Sequence, residues 1–224
     1  MNLEIKELRG FKFYHRPDTI ESEILYHCCG RGEYLTFFDV EPGETWLDLG
    51  ANIGGFTIYA ASKGAKVLSC EAMPDSYKIL EMNIDLNKAN DSVATCYGAV
   101  VGTDEKEVLI YEAINNTGAC SLFDNNGCDG KTVMVPAINI KEILDKMPGQ
   151  LCIKMDVEGA ELQLIPQIDW SRVDKFACEY HQYLFKNFAS EGLLELTMDL
   201  LHMEFPNVTY LAHPTGVCFI SAWR

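Results

Sequence analysis

The sequence predicts an α/β fold: a mostly parallel sheet with helices on both faces and an antiparallel strand near the C-terminus. Three observations predict it. From about residue 45, short apolar runs alternate with amphipathic stretches. The first of these runs, TWLDL, opens into the glycine-rich turn GANIGG before the next amphipathic stretch. The chain closes on two extended segments, VTYLAH and VCFISAWR, which read as an antiparallel finish to the sheet.

The elements follow in order. Residues 1–44 stand outside the alternation and read as an N-terminal cap on the substrate side, with TIESEILYHCC helical and GEYLTFFDVEPG leading into the first strand. The domain proper is then 45–224. TWLDL (45–49) is a strand and GGFTIYAASK (54–63) the helix after it. KVLSCEA (66–72) is the second strand. In DSYKILEMNIDLNKA (75–89), Tyr77, Ile79, Leu80, Ile84 and Leu86 recur at helical spacing. VATCYGAVV (93–101) is a third strand. EKEVLIYEA and KTVMVPAI are extended segments flanking a loop at 113–130 rich in Asn, Asp and Gly. INIKEILDKM is a helix, LCIKMDV a buried strand and AELQLIPQI its following helix. KFACEYHQ is another strand, and SEGLLELTMDLLHMEF an amphipathic helix that Ser190 is placed to cap.

Composition narrows the function. The chain has 224 residues and is 48% hydrophobic, enough for a full core in a single domain. Eighteen basic against 33 acidic residues give a net charge of −15, and no Lys/Arg cluster offers phosphates a footing. Nucleic acid is therefore not an expected partner. Nor is a membrane, since no apolar run reaches spanning length. The charged start, MNLEIKELRG, lacks a signal peptide's apolar segment, and the expected location is the cytoplasm. The nine cysteines are odd in number and mostly sit in apolar runs, so they read as reduced thiols. Cys28, Cys29, Cys120 and Cys128 do not have the spacing of a zinc site.

The turn LDLGANIGGF carries the first chemistry. Asp48, Gly50, Asn52 and Gly54 fall where a strand passes into a helix, and glycines there let backbone approach a ligand. A second acid, Glu71, ends the next strand, about 20 residues on, where it can bind ribose hydroxyls. Asp48 in the turn disfavours a pyrophosphate and suits a cofactor with positive charge. S-adenosylmethionine fits better than a dinucleotide.

LDLGANIGGFTIYAASKGAKVLSCEAMPDSYKILEMNI, together with IKMDVEGAELQLI, resembles the FkbM family of S-adenosylmethionine-dependent methyltransferases over residues 44–182. The resemblance implies a Rossmann-like class I methyltransferase fold and methyl transfer to oxygen, often on a sugar or natural-product hydroxyl. It implies cofactor-binding roles for Asp48, Gly50, Asn52, Gly54 and Glu71, with Ala99 near the adenine. It does not reach the N-terminal segment or the 113–130 loop, which would choose the acceptor.

The stretch IKMDVEGAEL places Asp156, Glu158 and Glu161 just beyond a buried strand. Ligands of open α/β sheets sit at such strand ends, so Asp156 is expected beside the transferable methyl. Glu158 reads equally as a site residue or a charged helix cap, and Glu161 as a solvated face. Lys154 alternates with Asp156 and pairs with an acid, for catalysis or for structure. In FACEYHQ, Glu179 and His181 project to one side of an extended strand, and His181 is the expected general base. His15, His27, His202 and His213 read as structural. The expected activity is O-methyl transfer to a small-molecule or glycan hydroxyl. Alternatives are a non-sugar acceptor, an NAD-binding oxidoreductase and a non-catalytic Rossmann-like binding module. No metal ligand is assigned, Mg²⁺ held by the acidic trio against a diol being the lesser reading.

Overall fold

The computed structural model describes residues 1–30, 32–113, 116–124, 131–182, 190–213 and 216–224. Its strands are β1 Glu4–Leu8, β2 Phe11–His15, β3 Thr45–Leu49, β4 Lys66–Glu71, β5 Val93–Tyr97, β6 Ala99–Val101, β7 Glu107–Tyr111, β8 Thr132–Asn139, β9 Leu151–Met155, β10 Val173–Tyr180, β11 Asn207–Ala212 and β12 Cys218–Trp223. The α-helices are α1 Glu21–Cys28, α2 Gly55–Ser62, α3 Pro74–Leu86, α4 Ile140–Lys146, α5 Glu161–Leu164 and α6 Ser190–Glu204.

A seven-stranded sheet runs in the order β11-β12-β10-β9-β3-β4-β5. The pairs β3–β4, β4–β5, β3–β9 and β9–β10 are parallel, and β12 lies antiparallel between β10 and β11. The expected mostly parallel sheet with one antiparallel strand near the C-terminus is what forms. Central strands are apolar throughout because both faces are covered: β9 is buried at every position. Strand order reverses between β3 and β9, and in open α/β sheets a crevice opens at that point, beyond the carboxyl ends of the strands.

Three elements differ from the sequence reading. VATCYGAVV is not one strand, because Gly98 adopts φ +148 and a Cβ there would lie 2.8 Å from the Pro136 carbonyl oxygen. Beyond this break, β6 leaves the main sheet and pairs with β8, which also pairs with β7. AELQLIPQI yields only the four-residue α5 before Pro166 enters a 3-10 turn at Ile165–Gln167. Residues 4–15 form an antiparallel hairpin that was not foreseen, turning on Arg9 and Gly10 at positive φ with none of the usual Asn-Gly signal. Ser190 opens α6 as its first residue, and its side chain lies outside the described residues, as does part of the 113–130 loop.

The N-terminal segment shares the main core. Phe13, Leu25, Tyr34, Leu35 and Phe38 pack in one buried cluster with Trp46, Phe56 and Ile79. Tyr34 thereby reaches from the 3-10 turn Glu33–Leu35 to the ends of the central strands. None of the described helices is long and apolar enough to cross a membrane.

Candidate functional site

A cavity of about 380 Å³ opens at the carboxyl ends of the central strands. One wall is the β3–α2 turn with the end of β4; the other is the stretch after β9 with the end of β10. Helix α1, the turn carrying Tyr34, and residues 116–118 close the mouth.

The first wall is backbone and one acid. Gly50 has φ +75, and a Cβ there would stand 1.7 Å from the Asp156 carbonyl oxygen. Only glycine lets the two strand ends approach so closely, and the Asp156 amide donates to Leu49 O at 3.0 Å across them. Asn52, at φ 49, donates its backbone N–H to Glu71 Oε2 at 2.8 Å, while Met73 N–H donates to Glu71 Oε1 at 2.7 Å. These bonds fix the Glu71 carboxylate at the cavity edge. Burial pushes its pKa up to about 7, against the pull of those two amides. Ala99, 6% exposed, lines the same end of the cavity. Gly50, Asn52, Glu71 and Ala99 therefore share one wall, as the motif implied.

Asp48 and Gly54 do not line the cavity. Asp48 was expected to face a cationic ligand; it is fully buried instead, accepting from Thr57 Oγ1 at 2.6 Å and lying 3.2 Å from Lys154 Nζ. Its charge is neutralised inside the protein. Gly54 is the N-cap of α2 at φ +94, tucked against Leu80.

Lys154 is the cation that binds the two walls together. Its ammonium donates to Gly50 O at 2.7 Å, stands 3.9 Å from Asp156 Oδ2 and lies 5.1 Å from the Tyr34 ring centroid. Burial disfavours its charge, but Asp48 and Asp156 outweigh that and hold its pKa above the usual range. It stays protonated and acts as a fixed positive charge, not as a base.

The second wall is acidic. Asp156, with its side chain 23% exposed, faces the cavity, as do Glu158 and Glu179. The Tyr34 hydroxyl lies 2.8 Å from Asp156 Oδ2 and 2.9 Å from Glu179 Oε2. Burial keeps this phenol protonated far above its ordinary range, so its single proton serves one carboxylate at a time. Burial and the Asp156 charge raise the Glu179 pKa to about 8. At neutral pH Glu179 accordingly retains a proton, which relieves repulsion across the bridge.

His181 departs from expectation. It is 1% exposed, behind the cavity wall, with Nδ1 2.9 Å from Glu161 Oε1 and Nε2 3.3 Å from Glu158 Oε1. Burial disfavours its charge, but Glu158 and Glu161 outweigh it and raise the pKa well above 6.5. The imidazole does not line the cavity, and the two acids favour its charged form over the free base that would take a proton. Glu161, read from sequence as solvated, is fully buried because it serves this histidine. Glu158 lines the cavity from a left-handed backbone at φ 47.

Sequence reasoning left Tyr34 and Glu179 out of the site. Glu179 had a signal in its alternation with His181 along β10. Tyr34 had none, being a tyrosine in an irregular segment brought in by packing.

With this geometry in hand, comparison with known proteins is informative. The sequence profile of the methyltransferase FkbM domain matches residues 48–205. Methyltransferase sdnD of Sordaria araneosa is 27% identical over 188 residues, 70% of this chain and 72% of that protein. A tRNA (guanine(37)-N(1))-methyltransferase of Anopheles gambiae is 46% identical over 54 residues, 24% of this chain and 10% of that protein. Among solved structures, an O-methyltransferase from Bacillus cereus in complex with SAH is 14% identical with a TM-score of 0.48, covering 81% of this chain and 74% of that one.

Proposed function

Because this chain belongs to the FkbM family of S-adenosylmethionine-dependent methyltransferases, we propose that it methylates a hydroxyl oxygen of an uncharged small molecule, a sugar or glycan above all. S-adenosylmethionine is the cofactor, and when bound it supplies an electrophilic methyl carbon on a sulfonium. The first wall fits it without a phosphate site. Glu71, held by two backbone amides, presents a carboxylate to ribose hydroxyls, and the Asn52 turn and Ala99 flank the space for the nucleoside.

Asp156 carries the reading. It is the acid that faces the cavity directly across the strand ends from the Gly50 turn, and the Tyr34 hydroxyl anchors one of its oxygens. The other oxygen can accept a hydrogen bond from an acceptor hydroxyl and then take its proton as the new C–O bond forms. Lys154 steadies Asp156 from behind. Glu179, protonated at neutral pH, spares Asp156 a second adjacent charge. Holding hydroxyl and methyl in line supplies much of the rate, so the placement of Asp156 matters as much as its basicity.

Charge supports an uncharged acceptor. Glu23, Glu33, Asp156 and Glu158 line the cavity, with Glu71 and Glu179 adding charge when ionised, while Lys154, the one lysine among its described lining residues, is already paired with Asp48. A phosphate-rich acceptor would meet repulsion here. The tRNA-methyltransferase match spans only 54 residues, 10% of a much longer protein.

The test is transfer of a radiolabelled methyl group from S-adenosylmethionine to a panel of neutral sugars and glycans, sugar phosphates and a tRNA transcript. Product is expected on a neutral hydroxyl compound. Transfer to tRNA alone would overturn the assignment.

A further inference from the structure

We propose that the second wall is a binding site for one divalent metal cation, with Asp156, Glu158 and His181 as ligands and Glu179 as a fourth donor at its edge. The sequence offered Asp156, Glu158 and Glu161 as a lesser reading for Mg²⁺; the geometry replaces Glu161 with His181.

The donor atoms converge. One ligand atom each from Asp156, Glu158 and His181 lies within 4.8 Å of the others. Opposite ligands around a divalent cation with bonds of roughly 2.1–2.5 Å stand roughly 4.2–5.0 Å apart, so a single ion spans this set. His181 Nε2 is 3.3 Å from Glu158 Oε1, 3.8 Å from Glu179 Oε1 and 3.9 Å from Asp156 Oδ1. One ring nitrogen is thus directed at three carboxylate oxygens on three different side chains.

The surroundings of these donors distinguish them from a patch of surface acid. The histidine side chain is only 2% exposed, and its other nitrogen, Nδ1, faces Glu161 Oε1 at 2.9 Å. A carboxylate behind a histidine in this way fixes the ring and leaves Nε2 to a metal. The second oxygens are also held from outside the donor set: Tyr34 bonds Asp156 Oδ2 and Glu179 Oε2, the oxygens turned away from Nε2. Glu161 is fully buried, and its Oε2 has no hydrogen-bond partner among the described residues.

Three oxygens and an imidazole favour a cation that accepts both donor types, for which Mn²⁺ is a suitable probe. Asp156, Glu158 and Glu179 line the cavity whereas His181 lies behind it, so the open side of the ion faces the acceptor space. With the ion bound, Asp156 Oδ1 would hold it, and an acceptor hydroxyl on the ion would become more acidic, so the cation would supply the activation that this oxygen supplies without it. That role rests on the proposed transfer to a hydroxyl; the binding of the cation does not. The proton on Nε2, and that on Glu179 where its carboxylate joins the ion, leave to solvent when the ion enters.

The experiment is titration of chelator-stripped, desalted protein with Mn²⁺ alone, following loss of the free-ion paramagnetic resonance signal. One Mn²⁺ per chain is expected, with affinity lowered at least tenfold in Glu158→Gln and in His181→Gln. S-adenosylhomocysteine binding and circular dichroism report whether each variant is folded. If His181→Gln fails to fold, Glu158→Gln decides. Stripped parent protein that leaves the Mn²⁺ signal unchanged, with or without S-adenosylhomocysteine, overturns the proposal. So does binding that a folded Glu158→Gln leaves intact. Methylation of a hydroxyl acceptor by protein that binds no Mn²⁺ would remove the cation and leave the proposed function; Mn²⁺ binding without any such methylation would do the reverse.

Discussion

On the wall proposed for the cofactor, Asn52 and Glu71 meet across adjacent parallel strands and are 19 residues apart in sequence. On the acceptor side, Tyr34 meets Asp156 and Glu179 across separations of 122 and 145 residues. The first wall is a strand–turn–helix with its neighbouring strand, held largely by backbone bonds. The second is a set of side chains from unconnected elements, held by charge and one phenol. A wall made locally tolerates few substitutions in its turn but asks little of the remainder of the chain. A wall made at long range depends on every element that supplies it, including the N-terminal segment that delivers Tyr34.

Lys154 joins the two walls, and its loss should have the largest effect. Lys154→Met leaves Asp48 buried without its counter-charge, and breaking such a pair costs about 3–5 kcal/mol. Urea unfolding is expected to show that loss in the midpoint, with the slope unchanged. A stability equal to the parent's would mean Asp48 is neutralised some other way, and that the walls are less coupled than the geometry indicates.

Next in size is the effect on chemistry. Asp156→Asn keeps the shape of the side chain and removes its ability to take a proton. Turnover on a confirmed acceptor is expected to fall by about 10²-fold or more. Near-parental turnover would reduce Asp156 to a charged strand end and make the second wall structural.

The smallest predicted effect separates the walls by pH. Burial raises Glu71 from its ordinary 4.5 to about 7 in the folded protein. Its contribution to stability is therefore fully present below about pH 4.5 and is lost as pH rises through about 7. Ribose hydroxyls donate to the charged form, so cofactor binding lowers this pKa and releases a proton. Affinity for S-adenosylhomocysteine should thus rise with pH and level off above about 7, with roughly a tenfold deficit at pH 6. Glu71→Gln should flatten that dependence. A parent profile already flat from pH 5 to 8 would remove Glu71 from the ribose.

The same contrast explains what could be read without coordinates. The alternation from residue 45 and the break after TWLDL set out the sheet, because strand, turn and helix signals are local. The family motif identified Gly50, Asn52, Glu71 and Ala99, which do share a wall. It misled at Asp48, since sequence cannot show that Lys154, from a strand about a hundred residues later, has already neutralised that acid. His181, expected at the cavity, lies behind its wall between Glu158 and Glu161, neighbours that the chain order does not reveal. Tyr34 had no local signal at all. The strand break at Gly98 was likewise invisible until Pro136 was seen to pack against it.

The central claim is that one cavity has a wall for the cofactor and a wall for the acceptor, and calorimetric titration with S-adenosylhomocysteine of the parent, Glu71→Gln and Asp156→Asn tests it most directly. The account predicts one site per chain in the parent at pH 8, affinity lowered about tenfold in Glu71→Gln by loss of charged hydrogen bonds, and affinity within about twofold of the parent in Asp156→Asn, where only a group facing the acceptor has changed. Equal losses in the two variants, or no binding by the folded parent, would contradict it.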